Sequence, residues 1–306
     1  MTTLLQFIGS RKIRHEFGSS DKRRDAGQTT PADIMRYDDI LYGDDKRLRK
    51  WQLLDVYRPK AAVEEDGSLK KLPVIISVHG GGWVYGDKER YQWYCMRLAQ
   101  RNFAVVNFSY RLAPEAKFPS SLQDTEKVFQ FVADNAAQYG FDTENVFAVG
   151  DSAGGHLLSM YAAALTNQDF RKNFEFIKDK NLTLRGVGLN CGKYDLNDNE
   201  AMFKLLRSGF LPNGGTAEEI ELVNSANHVT KDFPPSFIMT CHGDFLIAQA
   251  DIIKEKLEAA GVRYEFHCYG SPEKPLWHVF HCDPKLPEAV VCNDDECNFF
   301  RSLIKQ

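Results

Sequence analysis

Short apolar runs alternating with helix-period stretches constrain this chain more than any other feature. Val74-Ile75-Ile76-Ser77-Val78 is apolar at nearly every position, as a strand buried on both faces must be. Trp51 to Tyr57, carrying Leu53, Leu54, Val56 and Tyr57, comes before it, ahead of Arg58-Pro59 and a turn at Asp66-Gly67-Ser68. Phe103 to Tyr110, Asn145 to Gly150, Leu184 to Leu189, Ser236 to Cys241 and Val262 to Tyr269 follow it as further strands. Between them lie helical patterns: one after Phe118-Pro119 carrying Leu122, Val128, Phe129 and Val132, one from Ala153 through Leu157, Leu158, Tyr161 and Leu165, and one from Leu246 to Ala260. Glu288 to Ile304 closes the chain. Strands and helices in this order predict an α/β fold, a mostly parallel central sheet with helices on both faces. At 306 residues and 43% apolar content, one such domain accounts for the whole chain.

Two segments interrupt the alternation. Residues 1–45 are polar, with Leu4, Leu5 and Ile8 spaced for a short helix that either covers part of a site or frames the domain. Between Tyr194 and Pro234 the sequence turns rich in Asn, Glu and Gly, with short helical patterns such as Met202, Leu205, Leu206 and Phe210. This stretch, residues 195–233, reads as a small cap inserted at the C-terminal edge of the sheet, where open α/β folds bind their ligands.

A net charge of -4 argues against a nucleic-acid partner; the basic residues from Arg11 to Arg24 are interleaved with Glu16, Asp21 and Asp25, a solvated face. Seven cysteines without a C-x-x-C pair suit a reducing compartment. With neither a secretory leader nor an apolar run of bilayer length, the expectation is a soluble, cytoplasmic protein with no stable membrane association.

The chemistry centres on Gly150-Asp151-Ser152-Ala153-Gly154-Gly155, which follows the strand from Asn145 and opens a helix. A serine held between glycines on a sharp strand-to-helix turn presents its hydroxyl, and the helix N-terminus aims backbone amides at the same spot. His79-Gly80-Gly81-Gly82-Trp83 leaves an earlier strand through consecutive glycines, whose amides are free to meet a developing oxyanion. Alone, either motif is equally a tight turn; together they point to acyl transfer.

A serine nucleophile needs a histidine base and an orienting acid, which in this arrangement follow it in the order serine, acid, histidine. Asp244, in His242-Gly243-Asp244-Phe245-Leu246 just past a strand, fits the acid and also suits the N-cap of the next helix. For the base, Trp277-His278-Val279-Phe280-His281 offers two histidines; His278 is the choice and His281 the alternative. His79 reads as a prop for its own loop and His267 as a strand residue. The spacings of His267, Cys268, His278, His281 and Cys282 match no zinc pattern. Trp83, Tyr85, Tyr91, Trp93 and Tyr94 either line a pocket for a sugar or phenolic alcohol or pack around a helix.

These motifs, with Tyr110-Arg111-Leu112-Ala113-Pro114-Glu115, Phe118-Pro119 and Gly243-Asp244-Phe245-Leu246, resemble the hormone-sensitive-lipase-like carboxylesterases and acetyl esterases of the α/β-hydrolase fold, from about Val56 to the C-terminus. The resemblance implies Ser152 as nucleophile, Asp244 as acid, His278 as base, and the amides of Gly81, Gly82 and Ala153 as the oxyanion hole. It implies no metal and no organic cofactor, a small-molecule ester substrate with a small acyl group, and leaves a homodimer open. The family has a glycine where Val279 stands. An amidase or formamidase with the same triad and a non-catalytic binder on the same fold are the alternatives.

Overall fold

The computed structural model describes residues 4–44, 50–197 and 199–305. Residues 1–3 and 45 of the expected N-terminal segment, and position 198 of the expected cap, lie outside the described residues. The elements run α1 (Leu4–Asp25), β1 (Ile34–Leu41), β2 (Leu53–Pro59), β3 (Leu72–Val78), α2 (Lys88–Ala99), β4 (Ala104–Phe108), α3 (Ser120–Asp134), α4 (Ala136–Tyr139) and β5 (Phe141–Asp151). They continue through α5 (Ala153–Thr166), α6 (Gln168–Arg171), β6 (Leu184–Asn190), α7 (Ala201–Phe210), α8 (Ala217–Val223), β7 (Ser236–Cys241), α9 (Ile247–Ala260), β8 (Tyr264–Tyr269) and α10 (Pro287–Arg301).

The strands form one sheet in the order β1-β2-β4-β3-β5-β6-β7-β8. β1 and β2 are antiparallel to their neighbours, and from β4 to β8 every pair is parallel. Side-chain alternation divides the core into two layers. Val74, Ile76 and Val78 join Leu122 and Val128 of α3, Leu157 of α5 and Ile253 of α9; Ile75 faces the other way, with Tyr94 and Leu98 of α2 and Phe299 and Phe300 of α10. This is the α/β-hydrolase architecture, and it carries the C-terminal ends of β3, β5 and β7 to one edge of the sheet. Along that edge Val78 pairs with Gly150, and Asp151 with Asn190.

The N-terminus departs from expectation. The helix at Leu4, Leu5 and Ile8 is present but is not short: α1 runs to Asp25 and leaves Leu4 75% and Leu5 73% exposed. Beside the apolar contacts of Ile13 and Phe17 it packs through polar positions: Gln6 Nε2 donates to Ser208 O at 2.9 Å, and Arg14 donates to Val84 O and pairs with Glu115 at 2.6 Å. β1 was not expected, because its sequence has no clean alternation. A register shift interrupts its pairing with β2 between Tyr37 and Ile40, where Asp39 sits at φ 58° and its amide donates to Asp55 Oδ1.

The seven cysteines are free, and of them all but Cys268 are buried. Among the described residues no helix is long and apolar enough to cross a membrane. Glu296 of α10 is buried beneath the site, accepting from Asn190 Nδ2 at 2.8 Å and Tyr94 Oη at 3.1 Å. Burial raises its carboxyl from 4.5 to about 7. The protonated group therefore supports the fold fully below about pH 4.5, and that support is lost as pH rises through about 7. Glu296→Gln is expected to raise the melting temperature relative to wild type at pH 8 and to leave it unchanged at pH 4; a pH-independent difference would contradict this.

Candidate active site

The turn from β5 into α5 is built on close backbone approach. A Cβ on Gly154 would lie 2.0 Å from Val78 O, and one on Gly150 2.6 Å from Gly154 O, so only glycine lets strand and helix meet here. Ser152 between them is held at φ 52°, ψ -118°, a conformation that non-glycine residues rarely adopt and that marks stored strain. Its amide donates to Asn190 O at 3.0 Å, and its carbonyl accepts from Lys193 N at 3.2 Å. Among the described residues its hydroxyl has no hydrogen-bond partner, His278 included. Catalytic hydrogen bonds are often long or poorly aligned in ligand-free enzymes and tighten with substrate.

Asp244 lies just beyond β7. Its Oδ2 accepts from Thr240 Oγ1 at 2.8 Å, and its Oδ1 accepts from the Leu246 amide at 2.8 Å and from His278 Nδ1 at 2.6 Å. Burial drives this carboxyl upward, but the hydrogen bond and charge of His278 and the Leu246 amide outweigh it and hold Asp244 below its ordinary value. A carboxylate only accepts, so Nδ1 of His278 carries a proton and donates it to Asp244 Oδ1, which leaves Nε2 out of this bond. Asp244 is not the N-cap suggested by its position: α9 is capped at Leu246 without a side-chain cap bond, and Asp244 Oδ1 accepts from the Leu246 amide in the turn before it.

The structure pairs Asp244 with His278 and leaves His281 elsewhere. His281 is buried, 5.0 Å from the Tyr94 ring in edge contact, with Nε2 3.5 Å from Cys282 Sγ. Burial, then the charges of His278 and Arg24, lower it to about 3. Val279, where a glycine was expected, stands at φ 56°. A β-branched residue there carries strain of about 1–3 kcal/mol.

The glycine loop is fixed from behind. His79 is buried and lowered to about 4 by desolvation, stacks on Tyr110 at 3.9 Å, and its Nδ1 lies 2.8 Å from Gly80 O. It props the loop and has no access to substrate. Gly80 N donates to Tyr91 Oη at 2.9 Å, which donates to Asp151 Oδ2 at 2.8 Å. Gly81 and Gly82 follow at φ 111° and 60°, and the Gly81 carbonyl accepts from the amides of Val84 and Tyr85.

Sequence reasoning missed Tyr91 as the link between the serine turn and the glycine loop. It also missed His156, whose Nδ1 accepts from Trp83 Nε1 at 3.2 Å while its Nε2 lies 2.7 Å from Val223 O. Trp83 also stacks on Phe210 at 4.8 Å, holding the loop against α7. The aromatic cluster divides: Trp83 lines a hollow beside Ser152, Tyr85 and Tyr91 line one beside His278, and Tyr94 belongs to the core. Among the described residues two trios bring metal-ligand atoms within 4.8 Å, Asp151, His281 and Cys282, and Cys191, Asp244 and His278. In the second, the 2.6 Å Asp244–His278 bond already occupies two of the donors.

A family model described as BD-FAE matches residues 54–257. Versiconal hemiacetal acetate esterase of Dothistroma septosporum is 28% identical over 241 residues, 74% of this chain and 71% of that protein. Esterase LipC of Mycobacterium tuberculosis is 30% identical over 231 residues, 72% of this chain; the match spans only 54% of LipC's own length. Esterase B of Lactobacillus rhamnosis, solved with a C4-C4 tributyrin phosphonate inhibitor, superposes with a TM-score of 0.88 at 25% identity, covering 99% of this chain and 96% of that one.

Proposed function

The chain belongs to the BD-FAE family and is a carboxylic ester hydrolase of the α/β-hydrolase fold, and from this premise we propose that it works through an acyl-enzyme on Ser152, His278 and Asp244. His278 Nε2 takes the Ser152 proton as Oγ attacks the ester carbonyl. The amides of Gly81, Gly82 and Ala153 receive the oxyanion, each such donor being worth about 3 kcal/mol of barrier. His278 then protonates the departing alcohol, and water repeats the sequence on the acyl-enzyme. Asp244 holds the tautomer and stabilises the imidazolium. The 2.6 Å Asp244–His278 bond is the observation that carries this reading, because it leaves Nε2 as the free base.

A small acyl group fits the hollow beside Ser152, about 50 Å3 and walled by Ile13, Trp83, Met202 and Leu206. The acetate in one relative's name and the butyryl-scale inhibitor in another's structure agree with that size. We read α1 and residues 195–233 as the cap, since Ile13 and Phe17 of α1 and Met202, Phe203 and Leu206 of α7 line this hollow.

Initial rates with 4-nitrophenyl acetate, butyrate and octanoate, beside 4-nitroacetanilide, test the reading. Acetate or butyrate is expected to exceed octanoate at least about tenfold in kcat/KM, a difference of about 1.4 kcal/mol, with the anilide slowest. Anilide cleavage faster than any ester would favour the amidase, and binding without turnover would leave only a binder.

A further inference from the structure

Two hollows adjoin at Phe17 and Phe245, one reaching Ser152 and the other His278, and their composition differs. The one of about 50 Å3 carries Ser152, Gly82 and Ala153 in an otherwise largely apolar wall. The other, of about 210 Å3, carries His278 and Gly81 together with polar groups from Asp21, Arg24 and Tyr85. Two side chains line both, Phe17 of α1 and Phe245. Phe245 is 59% exposed, its ring 4.2 Å from the His278 imidazole and 6.3 Å from Phe203. Its backbone is fixed between Asp244 and Leu246, whose amide is tied to the Asp244 carboxylate.

The proposed chemistry assigns the hollows. With the carbonyl carbon at Ser152 Oγ and its oxygen toward the amides of Gly82 and Ala153, the leaving alcohol must receive its proton from His278, so it lies on the His278 side. The acyl tail then points into the small hollow, which His278 does not line. We propose that Phe245, with Phe17 beside it, is the partition between acyl and alcohol sites and sets the upper limit on acyl length. This assignment rests on the Ser152–His278 reading. It commits the substrate to a short, apolar acyl group joined to a larger alcohol.

A chain too long for the small hollow must cross the line that the two rings occupy. Truncating Phe245 joins the apolar hollow to the larger one and gives the tail an exit. Phe245→Ala is therefore expected to raise the ratio of kcat/KM for 4-nitrophenyl octanoate over acetate at least about tenfold, and Phe17→Ala to raise it in the same direction. Phe245→Trp should lower butyrate relative to acetate. The ratio is taken on one preparation, so an inactive fraction cancels, and so does any general loss from disturbing His278. Were Phe245→Ala inactive on both esters, Phe245→Leu carries the same test with a smaller rise. An unchanged ratio in an active wild-type background, with either Phe245 variant, overturns the partition and leaves the esterase mechanism standing. A wild type whose rates depend on neither Ser152 nor His278 removes the mechanism itself.

Discussion

Ser152→Ala is expected to lower kcat/KM for 4-nitrophenyl acetate by about 10^6-fold, the scale on which serine nucleophiles of this kind fail when removed. What survives is turnover supported by the oxyanion amides and by binding alone, about 10^3–10^4 over water. Stability should hardly move. Among the described residues the hydroxyl has no hydrogen-bond partner, and the strained backbone at φ 52° is the same for alanine. Rates with the melting temperature measured alongside therefore separate chemistry from folding. A folded Ser152→Ala that keeps more than about a hundredth of the activity would show that another group attacks.

The two histidines should separate just as cleanly. His278→Ala removes the base and is expected to cost about 10^4–10^6-fold, because a serine hydroxyl without its base is scarcely nucleophilic at neutral pH. His281→Ala should instead act on stability. That ring is buried against Tyr94 and is held neutral, and deleting it leaves a cavity costing about 2–3 kcal/mol. Per folded molecule its activity should stay within about tenfold of wild type. A folded, inactive His281→Ala beside an active His278→Ala would reverse the assignment.

What the sequence revealed follows from where the interactions lie. β3 and β7 are legible because both faces of each are buried, so Val74 to Val78 and Ser236 to Cys241 read as largely apolar runs broken only by the small hydroxyls of Ser77, Ser236 and Thr240. The serine turn is legible because backbone approach at Gly150 and Gly154 admits no other residue. The spacing of Leu4, Leu5 and Ile8 shows the helix α1 but not its length to Asp25, because Gln6, Ser10 and Arg14 make much of its packing face polar while its leucines point to solvent. Tyr91 and His156 were invisible because their partners, the Gly80 amide and Asp151 for one and Trp83 and the Val223 carbonyl for the other, come from distant segments. At Val279 the sequence showed a departure without its meaning. The structure supplies it: the position is left-handed, which glycine adopts freely and valine only under strain.

The most direct test of the mechanism is where a covalent inhibitor lands. Wild-type protein is inactivated with a short-chain 4-nitrophenyl alkylphosphonate, its intact mass is read, and the digested peptides are sequenced by mass spectrometry. The mechanism predicts one adduct per chain, on Ser152, appearing in step with the loss of esterase activity and absent from Ser152→Ala. Full inactivation with the adduct on any other residue would contradict it.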